Sequence, residues 1–174
     1  SYAEYYRVFG SKEALDRARQ VLSLLNRHMK YPQGGYADSA ARDWLRDDWI
    51  NFWVKNRTGA AKLLNSNMHL FEAIYNLAQA APEPWILQSL RDELEFLLGT
   101  VVDRKLHHLK AAMDVSGARL DHEINYGHDA ECSYLLTGAA ELLGDADLIR
   151  RARETAVDLM DHVLAEGMDP EYGG

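Results

Sequence analysis

The sequence predicts an all-α protein assembled from helical hairpins, and three observations carry that prediction. Apolar residues recur at helical spacing along most of the 174 residues. Alternating apolar and polar runs, which would mark strands, are almost absent. The periodic segments are also punctuated where helices start and stop, by Ser, Gly and Pro.

Taken in order, Tyr2 to Phe9 reads as the last turns of a helix closed by Gly10. Ser11 then caps a second helix running to about Lys30, with Ala14, Leu15, Ala18, Val21, Leu22 and Leu25 as its buried stripe. The turn Tyr31-Pro-Gln-Gly-Gly-Tyr36 stops it. Residues 37 to 61 carry three Trp (Trp44, Trp49, Trp53) and an acidic run (Asp43, Asp47, Asp48) with weaker periodicity, and read as a long loop. The Asp run reads as a solvated face, and the Trp residues as loop packing ahead of a sugar platform.

Leu63 to Ala80 is the third helix. Pro82 and Pro84 separate it from a fourth, from about Trp85 to Val101 or onward to His107, with Ile86, Leu90, Leu94, Leu97 and Leu98 on its apolar face. Residues 108 to 126, with Asp114, Gly117 and Asp121, read as a second long loop. Gly127 to Leu143 is the fifth helix and Gly144-Asp145 a turn. The sixth runs from about Ala146 to Glu166 and buries Ile149, Ala152, Ala156, Leu159 and Val163. The Pro/Gly/Tyr turns at 31–36 and 169–174 each follow a long amphipathic helix. Such a repeat suits a solenoid or toroid of hairpins, with loops gathered at one end around a ligand.

Composition narrows the function. A 47% hydrophobic content suits one globular domain with a sizeable core, and a net charge of -8 opposes a nucleic-acid footprint, which needs clustered Lys and Arg. No run of about 18 apolar residues suggests a membrane span, and no leader pattern opens the sequence. A single cysteine, Cys132, excludes an intramolecular disulfide and a cysteine-based zinc site and fits a reducing compartment, so the cytoplasm is expected.

Two stretches carry chemistry. Asn125 to Leu135 places His128 and Glu131 three apart at a helix start, putting imidazole and carboxylate on one face. A carboxylate beside a histidine fixes its tautomer and raises its basicity, as proton transfer near neutral pH requires. Asn65, His69 and Glu72 repeat the device at i, i+4 and i+7, flanked by apolar Leu70, Phe71 and Ile74. Two such helices point to one pocket. His28, His107, His122 and His162 read as solvated. The adjacent His107 and His108, taken as helical, would point about 100° apart and not share a metal, and Asp129 reads as a carboxylate favoured near a helix N-terminus.

These residues resemble the family of N-acylglucosamine 2-epimerases and cellobiose 2-epimerases. Asn65-Ser-Asn-Met-His69-Leu-Phe-Glu72-Ala is similar to one of the family's helices. Tyr126-Gly-His-Asp-Ala-Glu131 is similar to the Tyr-Gly-His-Asp-x-Glu signature of the cellobiose 2-epimerase branch, and His108-Leu109 with Asp114 sits where that branch has a His-Leu loop. One departure is Tyr134, where the branch usually carries Trp. The resemblance implies an (α/α)6 barrel of twelve helices, of which residues 1–174 would form about half. Members are roughly twice as long, so this would be a central segment, with an early Arg and a late second catalytic His lying outside it.

The resemblance further implies a sugar 2-epimerase acting at C2 of the reducing-end aldose of a β-1,4-linked disaccharide, with no cofactor and no metal. His128 would be an acid/base oriented by Glu131. Asn65 and His69 would stabilise the enediolate, Glu72 would support His69, and Tyr134 would stack on sugar. An N-acylglucosamine 2-epimerase, an aldose-ketose isomerase of the mannose isomerase type, and a non-catalytic helical sugar-binding module stand beside this reading. The partner expected is a small sugar, not nucleic acid or membrane. An isolated half-barrel is expected to self-associate and to be inactive.

Overall fold

The computed structural model of the protein describes residues 1–44 and 60–173, so the expectations for Trp49, Trp53, Asp47 and Asp48 lie outside the described residues. Six α-helices occur among them: α1 (Tyr2–Phe9), α2 (Lys12–His28), α3 (Leu64–Ala80), α4 (Pro84–Phe96), α5 (Tyr126–Leu143) and α6 (Ala146–Glu166). Their ends follow capping chemistry. Ser11 Oγ accepts from Ala14 N and opens α2, while Gly10 and Gly144 close α1 and α5 at a φ of 67°, a left-handed conformation that glycine adopts without a side-chain penalty. Asp145 caps α6 by accepting from Asp147 N and Leu148 N.

The helices lie in two layers. The odd-numbered ones form an inner row, α1 packing on α3 and α3 on α5, while α2, α4 and α6 each pair with the inner helix before them. Ion pairs tie the outer row together. Arg19 pairs with Glu83, Lys30 Nζ lies 2.6 Å from Asp92, Arg91 Nη1 2.8 Å from Asp145 and Arg151 Nη2 2.7 Å from Glu95. Between the layers runs one apolar core that includes Phe71, Ile74, Ile86, Leu90, Leu136 and Leu159. Alternating inner and outer helices are what half of an (α/α)6 barrel requires.

Several expectations are corrected. Strands are present: β1 (Lys62–Leu63) pairs antiparallel with β4 (Ala112–Met113), and β2 (Val102–Asp103) with β3 (His108–Leu109). The fourth helix therefore does not reach His107. A π-helical turn, Leu97–Val101, follows α4, and Asp103 Oδ1 then accepts from Lys105 N and Leu106 N to fold the chain back as a hairpin. Val21 is 48% exposed, because the α2 stripe continues into an apolar cleft between α2 and α3 lined by Ala18, Leu25, Leu70 and Ala73. In α6, Ala152, Ala156 and Leu159 are buried as expected and Leu148 and Thr155 join them, while Ile149 and Val163 are only half-buried.

Glycine allows the turn after α2 to lie on the core. Gly35 has φ 71°, and a Cβ there would sit 2.5 Å from the Phe96 ring. Asn67 completes the seam, its Oδ1 accepting from Tyr36 N at 2.6 Å and its Nδ2 donating to Leu63 O at 2.9 Å and Tyr36 O at 3.2 Å. No helix among the described residues is long and apolar enough to cross a membrane.

Candidate active site

The inner row carries the polar side chains that the sequence singles out. On α3, Asn65 and His69 are exposed and Glu72 is half-buried, along one stripe separated from the core face of Phe71 and Ile74. His69 Nδ1 lies 3.3 Å from Glu72 Oε2. Donation from Nδ1 to that carboxylate leaves the lone pair on Nε2, so the ring presents an acceptor or, once protonated, a donor away from the helix.

Glu131, one helix over on α5, completes the group. One donor atom each from His69, Glu72 and Glu131 lie within 4.8 Å of one another. The i, i+4, i+7 spacing on α3 and the packing of α3 against α5 produce this convergence. The sequence pairs Glu131 with His128 by proximity along the helix; across space its neighbours are His69 and Glu72. An imidazole beside two carboxylates can accept hydrogen bonds from hydroxyls and exchange a proton with a ligand.

His128 occupies the first turn of α5 and is half-buried, its backbone N donating to Asn125 Oδ1 at 3.0 Å. Among the described residues no hydrogen bond joins its ring to Glu131. Tyr134, one turn beyond Glu131, is 67% exposed and offers an open ring face. Gly138, a further turn along, lets α3 and α5 approach. A Cβ there would meet the Tyr75 hydroxyl at 2.6 Å.

Behind His128 lies a feature that sequence reasoning missed. Asp129 is 1% exposed, and it accepts from His108 Nδ1 at 2.8 Å and from Leu109 N at 2.9 Å. Burial pushes its carboxyl above the usual carboxylate range, with the bonds from Leu109 and His108 opposing. Asp129 is thus a tie from the start of α5 to β3, not simply a carboxylate near a helix N-terminus. His108, also 1% exposed, has its Nε2 3.4 Å from Glu166 Oε2 and meets the Tyr126 ring edge-on at 5.5 Å. The signal was the adjacency of His108-Leu109 and His128-Asp129, whose meeting needs tertiary structure to be seen.

The remaining histidines are corrected in part. His122 is exposed, but His28 stacks on Trp44 at 4.8 Å, and the His107 and His162 rings stack at 4.1 Å and 2°. Segment 104–107 is a turn, and the adjacent His107 and His108 serve different carboxylates, Asp158 and Asp129.

With this geometry in place, similarity to known proteins can be set beside it. No family model matches the chain. The cellobiose 2-epimerase of Bacteroides fragilis is 26% identical over 172 residues, covering 98% of this chain and 43% of that protein. That of Ruminococcus albus is 27% identical over 161 residues, covering 92% and 41%. Among solved structures, a sugar epimerase from a ruminal bacterium superposes with a TM-score of 0.89 at 26% identity, over 97% of this chain and 43% of that one. The chain thus spans less than half the length of the curated relatives it matches.

Proposed function

We propose that this chain, which belongs to the cellobiose 2-epimerase family, supplies one proton-transfer face of a sugar 2-epimerase. The observation that carries the reading is the convergence of His69, Glu72 and Glu131 on adjoining inner helices, one turn from His128.

Epimerisation at C2 opens the aldose, breaks the C2–H bond and returns a proton to the opposite face. The electron pair of that bond forms C1=C2 while charge moves to O1. Returning the proton restores the carbonyl, so the oxidation level is unchanged and no redox partner is consumed. The enediolate needs donors aimed at O1 and O2. The Asn65 amide and the His69 ring are suited to this, since both are exposed on the same stripe. His128 takes the C2 proton, and Glu131 and Glu72 orient His69. Tyr134 stacks on the sugar. A second acid/base on the far face comes from the part of the barrel beyond this chain. We assign residues 1–174 to a single partial barrel domain, central in the full protein, and the substrate to the reducing-end aldose of a β-1,4-linked disaccharide.

The test is solvent-deuterium exchange by the full-length protein carrying this chain, on cellobiose, mannose and N-acetylglucosamine. Label at C2 of cellobiose together with its C2 epimer is the expected result. Ketose formation from mannose would instead identify an aldose-ketose isomerase. Absence of label on all three would reduce the chain to a sugar-binding module.

A further inference from the structure

We propose that Gly138 and Tyr75 are positioning residues, whose contact fixes the separation of α3 and α5 at which Glu131 reaches His69 and Glu72. The inference rests on the epimerase reading above and extends it to two residues that act through others.

The contact lies below the candidate site on both helices. Tyr75 is three residues beyond Glu72 on α3, and Gly138 is seven beyond Glu131 on α5, so each shares a helical face with the carboxylate above it. Glycine inside a helix is unfavourable relative to alanine, and its presence in the body of α5 calls for a steric reason. The Tyr75 ring supplies one. A Cβ at Gly138 would lie 2.6 Å from Tyr75 Oη, 3.1 Å from Cζ and 3.4 Å from Cε1. One edge of the ring, and not its tip alone, lies across the glycine.

Neither partner yields freely to an added methyl group. Tyr75 is half-buried and packs against the main core, so turning it aside exposes apolar surface. Gly138 is followed by Ala139 and Ala140, both fully buried, which hold this stretch of α5 in place. The strain of overpacking therefore moves the helices apart. The His69–Glu72 pair belongs to α3 alone and keeps its 3.3 Å separation. Glu131 is the member that depends on the gap between helices. One donor atom each from His69, Glu72 and Glu131 lie within 4.8 Å of one another, already near the limit of direct interaction, so a few tenths of an ångström more takes Glu131 out of the group.

The experiment compares kcat and KM for cellobiose in the full-length parent, Gly138→Ala, Tyr75→Phe and the double variant. Gly138→Ala is expected to lower kcat by about 10-fold or more with KM changed by less than about 3-fold, the pattern of misplaced catalytic groups. Tyr75→Phe removes the atom nearest the added Cβ, so in that background Gly138→Ala should cost less than about 3-fold. In a Glu131→Gln background Gly138→Ala should cost nothing further, because it acts through Glu131. Should Gly138→Ala fail to fold, Tyr75→Trp wedges the same contact from α3 and carries the same expectations. Crystal structures of the parent and the slow variant should show the Glu131 carboxylate further from His69. A Gly138→Ala enzyme within two-fold of the parent, equal losses in the parent and Tyr75→Phe backgrounds, or a structure in which Tyr75 turns aside and Glu131 stays in place would overturn the proposal. Absence of C2 exchange by the parent would instead sink the epimerase reading, and the crystallographic separation would then decide the packing claim by itself.

Discussion

Two clusters of histidine and carboxylate lie on opposite sides of the start of α5, and they are built to opposite specifications. On the side of the candidate site, His69, Glu72 and Glu131 are partly open to solvent, and the hydrogen bond within the group is a long 3.3 Å. On the core side, His108 and Asp129 are 1% exposed and joined at 2.8 Å, with Leu109 N as a second donor. The same residue types are thus used in two ways. The group proposed to exchange protons with a sugar keeps unsatisfied capacity, whereas the pair that holds a backbone in place uses its own up. Substitutions on the two sides should separate activity from stability.

The largest expected effect is on activity. His128→Asn removes a proton carrier while keeping hydrogen-bonding capacity, and turnover of the full-length protein should fall by about 10^3 or more, as loss of general acid/base catalysis can cost. Its melting temperature should stay within a few degrees of the parent, since the ring is half-buried and its backbone N already bonds to Asn125. More than a tenth of parental turnover would remove His128 from the mechanism.

Next in size is the core side. Asp129→Ala leaves His108 Nδ1 and Leu109 N buried without their acceptor, and urea unfolding should show a loss of about 3–5 kcal/mol. The matching change across the helix, His69→Ala, should move stability by no more than about 0.5 kcal/mol, as for surface positions in general. Equal losses from both would erase the distinction.

A third carboxyl sharpens the contrast by having neither arrangement. Glu93 is fully buried, and among the described residues neither of its oxygens has a hydrogen-bond partner. Burial pushes it up to about 8 from an ordinary 4.5, against the opposing charges of Lys30 and Lys62. Between those values the folded state holds a proton that the unfolded chain has lost. Stability from this group is therefore fully present below about pH 4.5 and falls as pH rises towards 8, by at most about 1.4 kcal/mol per pH unit. Glu93→Gln should flatten that decline in denaturation midpoints measured from pH 5 to 9. An unchanged slope would show that Glu93 does not titrate there.

How much of this was legible follows the range of the interactions. Ser11, Gly10 and Gly144 act within a turn of the chain, and the helix ends they set stand within one or two residues of where the pattern puts them. The stripe Asn65, His69 and Glu72 is local in the same sense. What escaped is short or distant. Two-residue strands cannot show alternation, and the turn that stops α4 depends on pairing with β3. Asn67, two residues from Asn65 and so on the far face of the helix, is buried because Tyr36, 31 residues earlier, needs its amide. His108 meets Asp129 across 21 residues and His107 meets Asp158 across 51, and no periodicity reports such meetings.

The smallest expected effect lies at Tyr134, the position where the resemblance is weakest. Its ring is 67% exposed on α5, so enlarging it displaces nothing in the core and Tyr134→Trp should change stability by no more than about 0.5 kcal/mol. A larger π face stacked on a sugar ring gains apolar contact worth about 0.5–1 kcal/mol. Affinity of the full-length protein for cellobiose should therefore rise by about two- to five-fold, with less gain for mannose if the ring covers the second sugar unit. Calorimetric titration of both sugars separates the cases. A gain confined to cellobiose places Tyr134 at the non-reducing side of the pocket, and an equal gain for both places it against the reacting ring. Weaker binding of both sugars would show that Tyr134 contributes through its hydroxyl and not through its face.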